Sequence, residues 1–166
     1  AKIKECYQIK DHLQEMLDNN IKPKDVITKE SFINAIKITT ILGGSTNSVL
    51  HLLAIANEFD IELTLDDFNN VTQTTPLLGN LKPYGEYTMN DIYKLGGLPV
   101  ITKYLIDNSI LDGNCYMLSG YTLSETIEKL SLPKLDFDKN IIRPINNPTK
   151  LDGHIRILKG SLSPDG

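Results

Sequence analysis

Gly43-Gly44-Ser45-Thr46-Asn47 runs directly into Ser48-Val49-Leu50-His51-Leu52-Leu53-Ala54-Ile55-Ala56. Two glycines and three small polar residues stand in front of an apolar run with helical periodicity. That order spells a tight loop opening onto a helix N-terminus. The first-turn N–H groups of such a helix have no intrahelical partner, and the helix dipole adds partial positive charge there. The arrangement suits a carboxylate or a phosphate. Read without a ligand, it is an ordinary turn between helices, and Ser45, Thr46 and Asn47 are all competent caps for the second one. His51 lies one turn beyond Asn47, on the loop's side of that helix. It is a general acid/base or an orienting residue beside the loop, or, given its apolar neighbours, a core histidine.

Outward from the loop the chain reads as mostly helical. Thr28 is an N-cap for a helix over Lys29–Leu42, which Gly43-Gly44 terminates. Phe32, Ile33, Ile36 and Ile41 form its apolar face. The helix from Asn47 to Glu58 is apolar nearly all round, which predicts burial in the middle of a larger structure. Upstream, Ile3, Tyr7, Ile9, Leu13, Met16 and Leu17 recur at helical spacing over Lys2–Asp18. Ile21 to Asp25 reads as a connector, with Pro23 barring helix continuation. Downstream, Thr64-Leu-Asp-Asp67, Thr88-Met-Asn-Asp91 and Thr122-Leu-Ser-Glu125 are capping signatures for three short helices. These run to about Val71, to Gly96-Gly97 and to Leu130. Pro99 sits in the first turn of another, ending near Asn108.

Cys115 to Leu118, Ile141-Ile142 and Ile155 to Leu162 read as strands, the last two separated by the turn-rich Asn146-Asn147-Pro148 and Asp152-Gly153. A polar connector over Ser131–Asn140 places a domain boundary near Leu135 to Asn140. The expected division is an α-rich layer over 1–138 and the incomplete start of a β-rich domain over 139–166.

Composition bounds the function. The 166 residues are 40% apolar and 23% charged, enough for a real core. A net charge of -4 and the absence of a Lys/Arg cluster on any helix leave no footprint for nucleic acid. No apolar run is long enough to span a bilayer. Cys6 and Cys115 lie far apart with no second ligand nearby, which argues for free thiols rather than a zinc site or a disulfide. Asp66, Asp67, Glu86 and Asp91 could be metal carboxylates, but capping accounts for Asp67 and Asp91 at once. Lys82-Pro-Tyr-Gly85 is a turn whose Lys82 could meet an anion. His12 and His154 stand in no motif, so surface or packing roles fit them best. Residue 1 is Ala, and Ser161 to Gly166 stops just after an expected strand. The sequence therefore reads as an internal piece of a longer protein.

With these residues in view, the chain resembles the dihydroxy-acid dehydratase family, which also holds the sugar-acid and phosphogluconate dehydratases. The matching stretches run in family order. They are Ile21-Lys-Pro-Lys-Asp25, Thr28-Lys-Glu-Ser-Phe32, Gly43-Gly-Ser-Thr-Asn47 with Val49-Leu-His51-Leu-Leu-Ala-Ile-Ala56, and Leu65-Asp-Asp-Phe68. They continue with Leu81-Lys-Pro83, Gly96-Gly97, Ile142-Arg-Pro144 and Gly160-Ser-Leu-Ser-Pro-Asp-Gly166. The resemblance implies an α/β fold overall. Within it, this chain would be a mostly helical part of the N-terminal α/β domain plus the first strands of a C-terminal β-barrel domain.

The resemblance also implies a hydro-lyase. Water leaves a 2,3-dihydroxy acid and the enol becomes a 2-keto acid, here in valine, leucine and isoleucine biosynthesis on 2,3-dihydroxy-3-methylbutanoate and its pentanoate homologue. An iron–sulfur cluster, [2Fe–2S] or [4Fe–4S], would polarise the leaving hydroxyl, and Mg²⁺ would hold the carboxylate and 2-hydroxyl. A serine takes the C2 proton. The family's cluster cysteines, magnesium carboxylates, modified lysine and base serine fall outside residues 1–166, and Cys6 and Cys115 match none of them. No catalytic residue and no metal ligand is therefore expected here, and the piece alone is expected to be inactive. Gly43, Gly44, Ser45, Thr46, Asn47 and His51 are the candidate substrate-binding or active-site loop.

The expected partners are a small dihydroxy acid and, in the full-length enzyme, a second identical subunit, with neither nucleic acid nor membrane. The compartment would be the cytoplasm in a bacterium and the mitochondrion or plastid in a eukaryote. Lys159-Gly-Ser-Leu-Ser and Asn146-Asn147-Pro148 depart from the common family wording, which bears on substrate choice. The alternatives are a sugar-acid or phosphogluconate dehydratase, which Ser48 and the aliphatic run after it disfavour, and a non-catalytic anion-binding module.

Overall fold

The computed structural model describes the backbone of residues 2–164 and 166, and the side chains of these except at 2–5 and 8, so the side chain of Ile3, expected on the apolar face of the first helix, lies outside the described residues. Eight helices are formed among them: α1 (Lys2–Asp18), α2 (Pro23–Val26), α3 (Lys29–Leu42), α4 (Asn47–Glu58), α5 (Leu65–Thr74), α6 (Met89–Lys94), α7 (Gly97–Asp107) and α8 (Leu123–Glu128). The bounds of α1, α3 and α4 are those read from the sequence. Pro23 does not merely end a helix. It occupies the first turn of α2, where its missing N–H is no loss, and Asp25 accepts from the Lys22 N–H at 2.8 Å.

α3 is the central element because it buries residues on more than one face. Ile36 joins Val49 of α4, Phe68 of α5 and Ile155 in one cluster. Ile41 and Leu42 join a larger one with Leu78, Leu81, Ile92, Val100, Ile101, Leu105, Ile141 and Ile142. Buried Asn34 staples α3 to the following loops: its amide donates to Asp112 O at 2.8 Å, and its Oδ1 accepts from Asp112 N at 2.9 Å.

Two expectations are corrected. No β-strand is formed among the described residues. Tyr116 and Ile142 make single bridges to Thr122 and Gly79, and residues 155–159 belong to no regular element. Alternation proposes a strand, but a strand exists only where a second one supplies its hydrogen bonds. The barrel assignment for 139–166 therefore rests on the resemblance. α4, too, is not buried all round: Val49 and Ala56 are buried, whereas Leu50 is 70% exposed. α3 covers one side of it, and no other element among the described residues covers the opposite one. α1 likewise leaves Tyr7, Leu13 and Leu17 exposed.

The three acidic capping boxes form as read. Asp67, Asp91 and Glu125 accept from the backbone N–H of Thr64, Thr88 and Thr122 at 2.8, 3.0 and 2.7 Å. Lys94, 2.9 Å away, and the Thr88 bonds hold the Asp91 carboxyl down at about 2. A carboxyl depressed in the folded state contributes stability above its unfolded pKa, near 3.9. That contribution is lost as pH falls through the folded value. Asp91→Asn is therefore expected to lower the melting temperature at neutral pH, and the gap to the parent should close between about pH 4 and pH 2. A thermal-melt series across that range checks it; a gap constant with pH would remove the carboxylate from the cap.

Candidate functional site

The loop between α3 and α4 is fixed from both ends. Gly43 closes α3 in the left-handed region at φ +81°, which a residue without Cβ adopts at no steric cost. Its N–H donates to Thr40 O at 3.3 Å and that of Gly44 to Thr39 O at 2.8 Å, the two bonds of a Schellman ending. Of the three capping candidates only Ser45 acts as one: its Oγ accepts from Asn47 N at 3.2 Å, and its carbonyl accepts from the Ser48 hydroxyl at 2.7 Å. Thr46 occupies the cap position in a helical conformation without a side-chain cap bond.

Two loop N–H groups, those of Ser45 and Thr46, have no acceptor among the described residues. The side chains of Thr46, Asn47 and His51 are exposed at the same end of α4. This corrects the core reading of His51: it lies on an exposed side of α4 together with Leu50 and Ile55. The structure thus brings Thr46, Asn47 and His51 to one open end, with Gly43, Gly44 and Ser45 as its base.

His154, assigned by sequence to surface or packing, is in fact against this loop. Its Nε2 lies 2.6 Å from Gly44 O, and its ring meets that of Tyr84 with centroids 5.1 Å apart. Tyr84 in turn donates its N–H to Gly43 O at 3.4 Å. Beside it opens a polar cleft of about 490 Å³ lined by Asn80, Tyr84, Glu86, Lys139 and Arg143. Lys82 is exposed and does not line that cleft. Neither feature has a local signal, because each joins residues far apart in the chain.

The acidic residues do not converge on a metal. Asp66 pairs with Lys159 at 2.7 Å. Partial burial pushes the Asp67 carboxyl up, but the Thr64 hydrogen bonds and Lys29, 3.2 Å away, outweigh it and hold it below its ordinary value. Among the described residues no three His, Cys, Asp or Glu side chains could share a metal ion. Cys6 is exposed on α1. Burial, with the charges of Asp112 and Glu30, pushes the Cys115 thiol up. The Asn34 amide also lies 3.3 Å from its sulfur. Metal ligation needs the thiolate, which this setting disfavours. These residues do not fit an iron–sulfur cluster or a magnesium site.

Residues 1–126 match the family described as dihydroxy-acid/6-phosphogluconate dehydratase, N-terminal. Over 165 residues the chain is 47% identical to a mitochondrial dihydroxy-acid dehydratase of Aspergillus terreus, covering 99% of the chain and 27% of that protein. The figures are the same for a chloroplastic dihydroxy-acid dehydratase of Arabidopsis thaliana. A dihydroxy-acid dehydratase of Lactococcus lactis is 46% identical over 166 residues, covering 99% of the chain and 29% of that protein. The chain thus spans under a third of the length of the relatives it matches.

Proposed function

The chain belongs to the dihydroxy-acid/6-phosphogluconate dehydratase family, and from that premise we propose that it is a segment of a dihydroxy-acid dehydratase. The protein carrying it would convert 2,3-dihydroxy-3-methylbutanoate and its pentanoate homologue to 2-keto acids in branched-chain amino acid synthesis. The observation that carries this reading is the identity of 46–47% to dihydroxy-acid dehydratases of a fungus, a plant and a bacterium over nearly the whole chain.

Within that enzyme the segment supplies the loop side of the substrate cleft. The N–H groups of Ser45 and Thr46, at the positive end of α4, suit a carboxylate. The exposed Thr46, Asn47 and His51 side chains offer hydroxyl, amide and imidazole groups to a polyol acid. The iron–sulfur cluster and Mg²⁺ belong to residues of the longer polypeptide outside this segment. The division of this segment near residue 138, the barrel start over 139–166 and assembly as a homodimer are part of the same proposal. So is the compartment: cytoplasm in a bacterium, mitochondrion or plastid in a eukaryote.

The test is a keto-acid assay on the full-length protein that carries this segment, with 2,3-dihydroxy-3-methylbutanoate, gluconate and 6-phosphogluconate as competing substrates. The methyl-branched acid is expected to be preferred, and the isolated 166 residues should show no turnover. Preference for a sugar acid would move the protein to the other branch of the family, and turnover by the isolated chain would overturn the assignment of the metal ligands.

A further inference from the structure

We infer that His154 is a positioning residue that sets the orientation of the Gly44–Ser45 peptide, and so the direction in which the free Ser45 N–H faces. The inference rests on the loop reading above and adds a device that holds it.

Three observations converge on the imidazole. Gly44 O can only accept, so at 2.6 Å Nε2 carries the hydrogen and donates. Nδ1 is buried and has no partner among the described residues. Burying an unpaired ring nitrogen gains nothing in itself, so the single bond to Gly44 is the one that defines the ring's place. Finally, the backbone delivers His154 there from both sides. Gly153 donates to Thr72 O at 2.7 Å, and a Cβ at Gly153 would lie 2.5 Å from Thr40 Cγ2 and 2.8 Å from Thr72 O. Only glycine allows that approach. Ile155 is buried in the cluster with Ile36, Val49 and Phe68. With its neighbours anchored, the His154 side chain is held toward the loop, where the Tyr84 ring also meets it.

The consequence is geometric. In a trans peptide the C=O and the following N–H point in opposite directions. Pinning Gly44 O toward His154 turns the Ser45 N–H away from the 153–155 strap, toward the side where it has no acceptor. Without the clamp, the peptide is free to rotate and that donor is no longer held in place.

The experiment uses the full-length protein carrying this segment and three variants. His154→Phe keeps a ring against Tyr84 and loses the donor. His154→Gln keeps an N–H donor near the Nε2 position. His154→Asn carries its amide near the Nδ1 position, short of Gly44, and serves if the Phe variant does not fold. Two readouts are taken: amide exchange of Gly44, Asn47 and Ser48, whose N–H groups are bonded, and the separate kcat and KM for 2,3-dihydroxy-3-methylbutanoate. Phe and Asn are expected to speed exchange at the bonded amides of Gly44, Asn47 and Ser48 and to raise KM by about tenfold, the worth of one hydrogen bond, with kcat little changed. Gln is expected to restore both. Unchanged exchange in Phe and Asn, or equal impairment in Gln, overturns the clamp. Faster exchange with unaltered KM, or a wild-type protein without dihydroxy-acid activity, leaves the clamp standing and overturns the functional reading of the loop instead.

Discussion

Gly85→Ala is expected to cost about 3 kcal/mol of stability, the top of the range for overpacking. The reason is space rather than backbone conformation. A Cβ at Gly85 would lie 2.4 Å from the carbonyl carbon of Asn80 and 2.5 Å from its oxygen. A flexible side chain can turn aside, but this carbonyl cannot: it accepts from Glu86 N at 3.0 Å and Tyr87 N at 2.9 Å. Asn80 itself donates to Ile141 O at 2.9 Å from its N–H and to Asn140 O at 3.1 Å from its amide. Gly85 N donates back to Leu81 O at 2.6 Å, and Leu81 is buried in the larger cluster. The added methyl must therefore break the turn that joins the core to Tyr84 and the Gly43 loop. Gly160→Ala is the control, since nothing lies within 4 Å of its Cβ position, and should be neutral within about 0.5 kcal/mol. Denaturant midpoints of the two variants decide it. A Gly85→Ala protein as stable as Gly160→Ala would mean that Asn80 does not sit under Gly85.

Much of the helical frame was legible because capping is local. Thr28, Thr64, Thr88 and Thr122 each announce a helix three residues before the side chain that answers them, and each box is present. α5 runs three residues past Val71 because Thr74 and Thr75 turn their hydroxyls onto the carbonyls of Asn70 and Val71, at 3.1 and 2.7 Å, within the last turn. Residues that usually favour turns are satisfied there without leaving the helix. What sequence could not show was which apolar surface another element covers. Periodicity makes α4 apolar, but only packing tells that Val49 faces Phe68 while Leu50 faces outward. The same ambiguity misplaced His51. The strands failed because pairing is non-local, and His154 was missed because 110 residues separate it from Gly44. The loop residues were legible, since glycines followed by small polar residues and a helix form a local pattern. Their support was not, because it comes from the far end of the chain.

Phe68→Ala is expected to remove about 4 kcal/mol, within the range for truncating a buried aromatic, and to act on the loop as well as on the core. Phe68 is 1% exposed and meets Ile36 of α3, Val49 of α4 and Ile155 in a cluster of which these four are the buried members among the described residues. A small cluster bounded by three helices collapses poorly around a lost ring, so most of the cavity remains. Val49 lies in the first turn of α4, and Ile155 follows His154. The same cavity therefore loosens both the helix that begins at the loop and the strap that clamps it. Leu105→Ala, in the larger cluster at 1% exposure, should destabilise by about 3 kcal/mol without touching either support. Amide exchange at Gly44 and at residues 47–49, whose N–H groups are bonded, measured well below the melting transition, separates the two. Phe68→Ala should accelerate it more than Leu105→Ala does, because the loop opens with the smaller cluster. Equal acceleration in both variants would mean that the two clusters open as one unit, and that the loop has no support of its own.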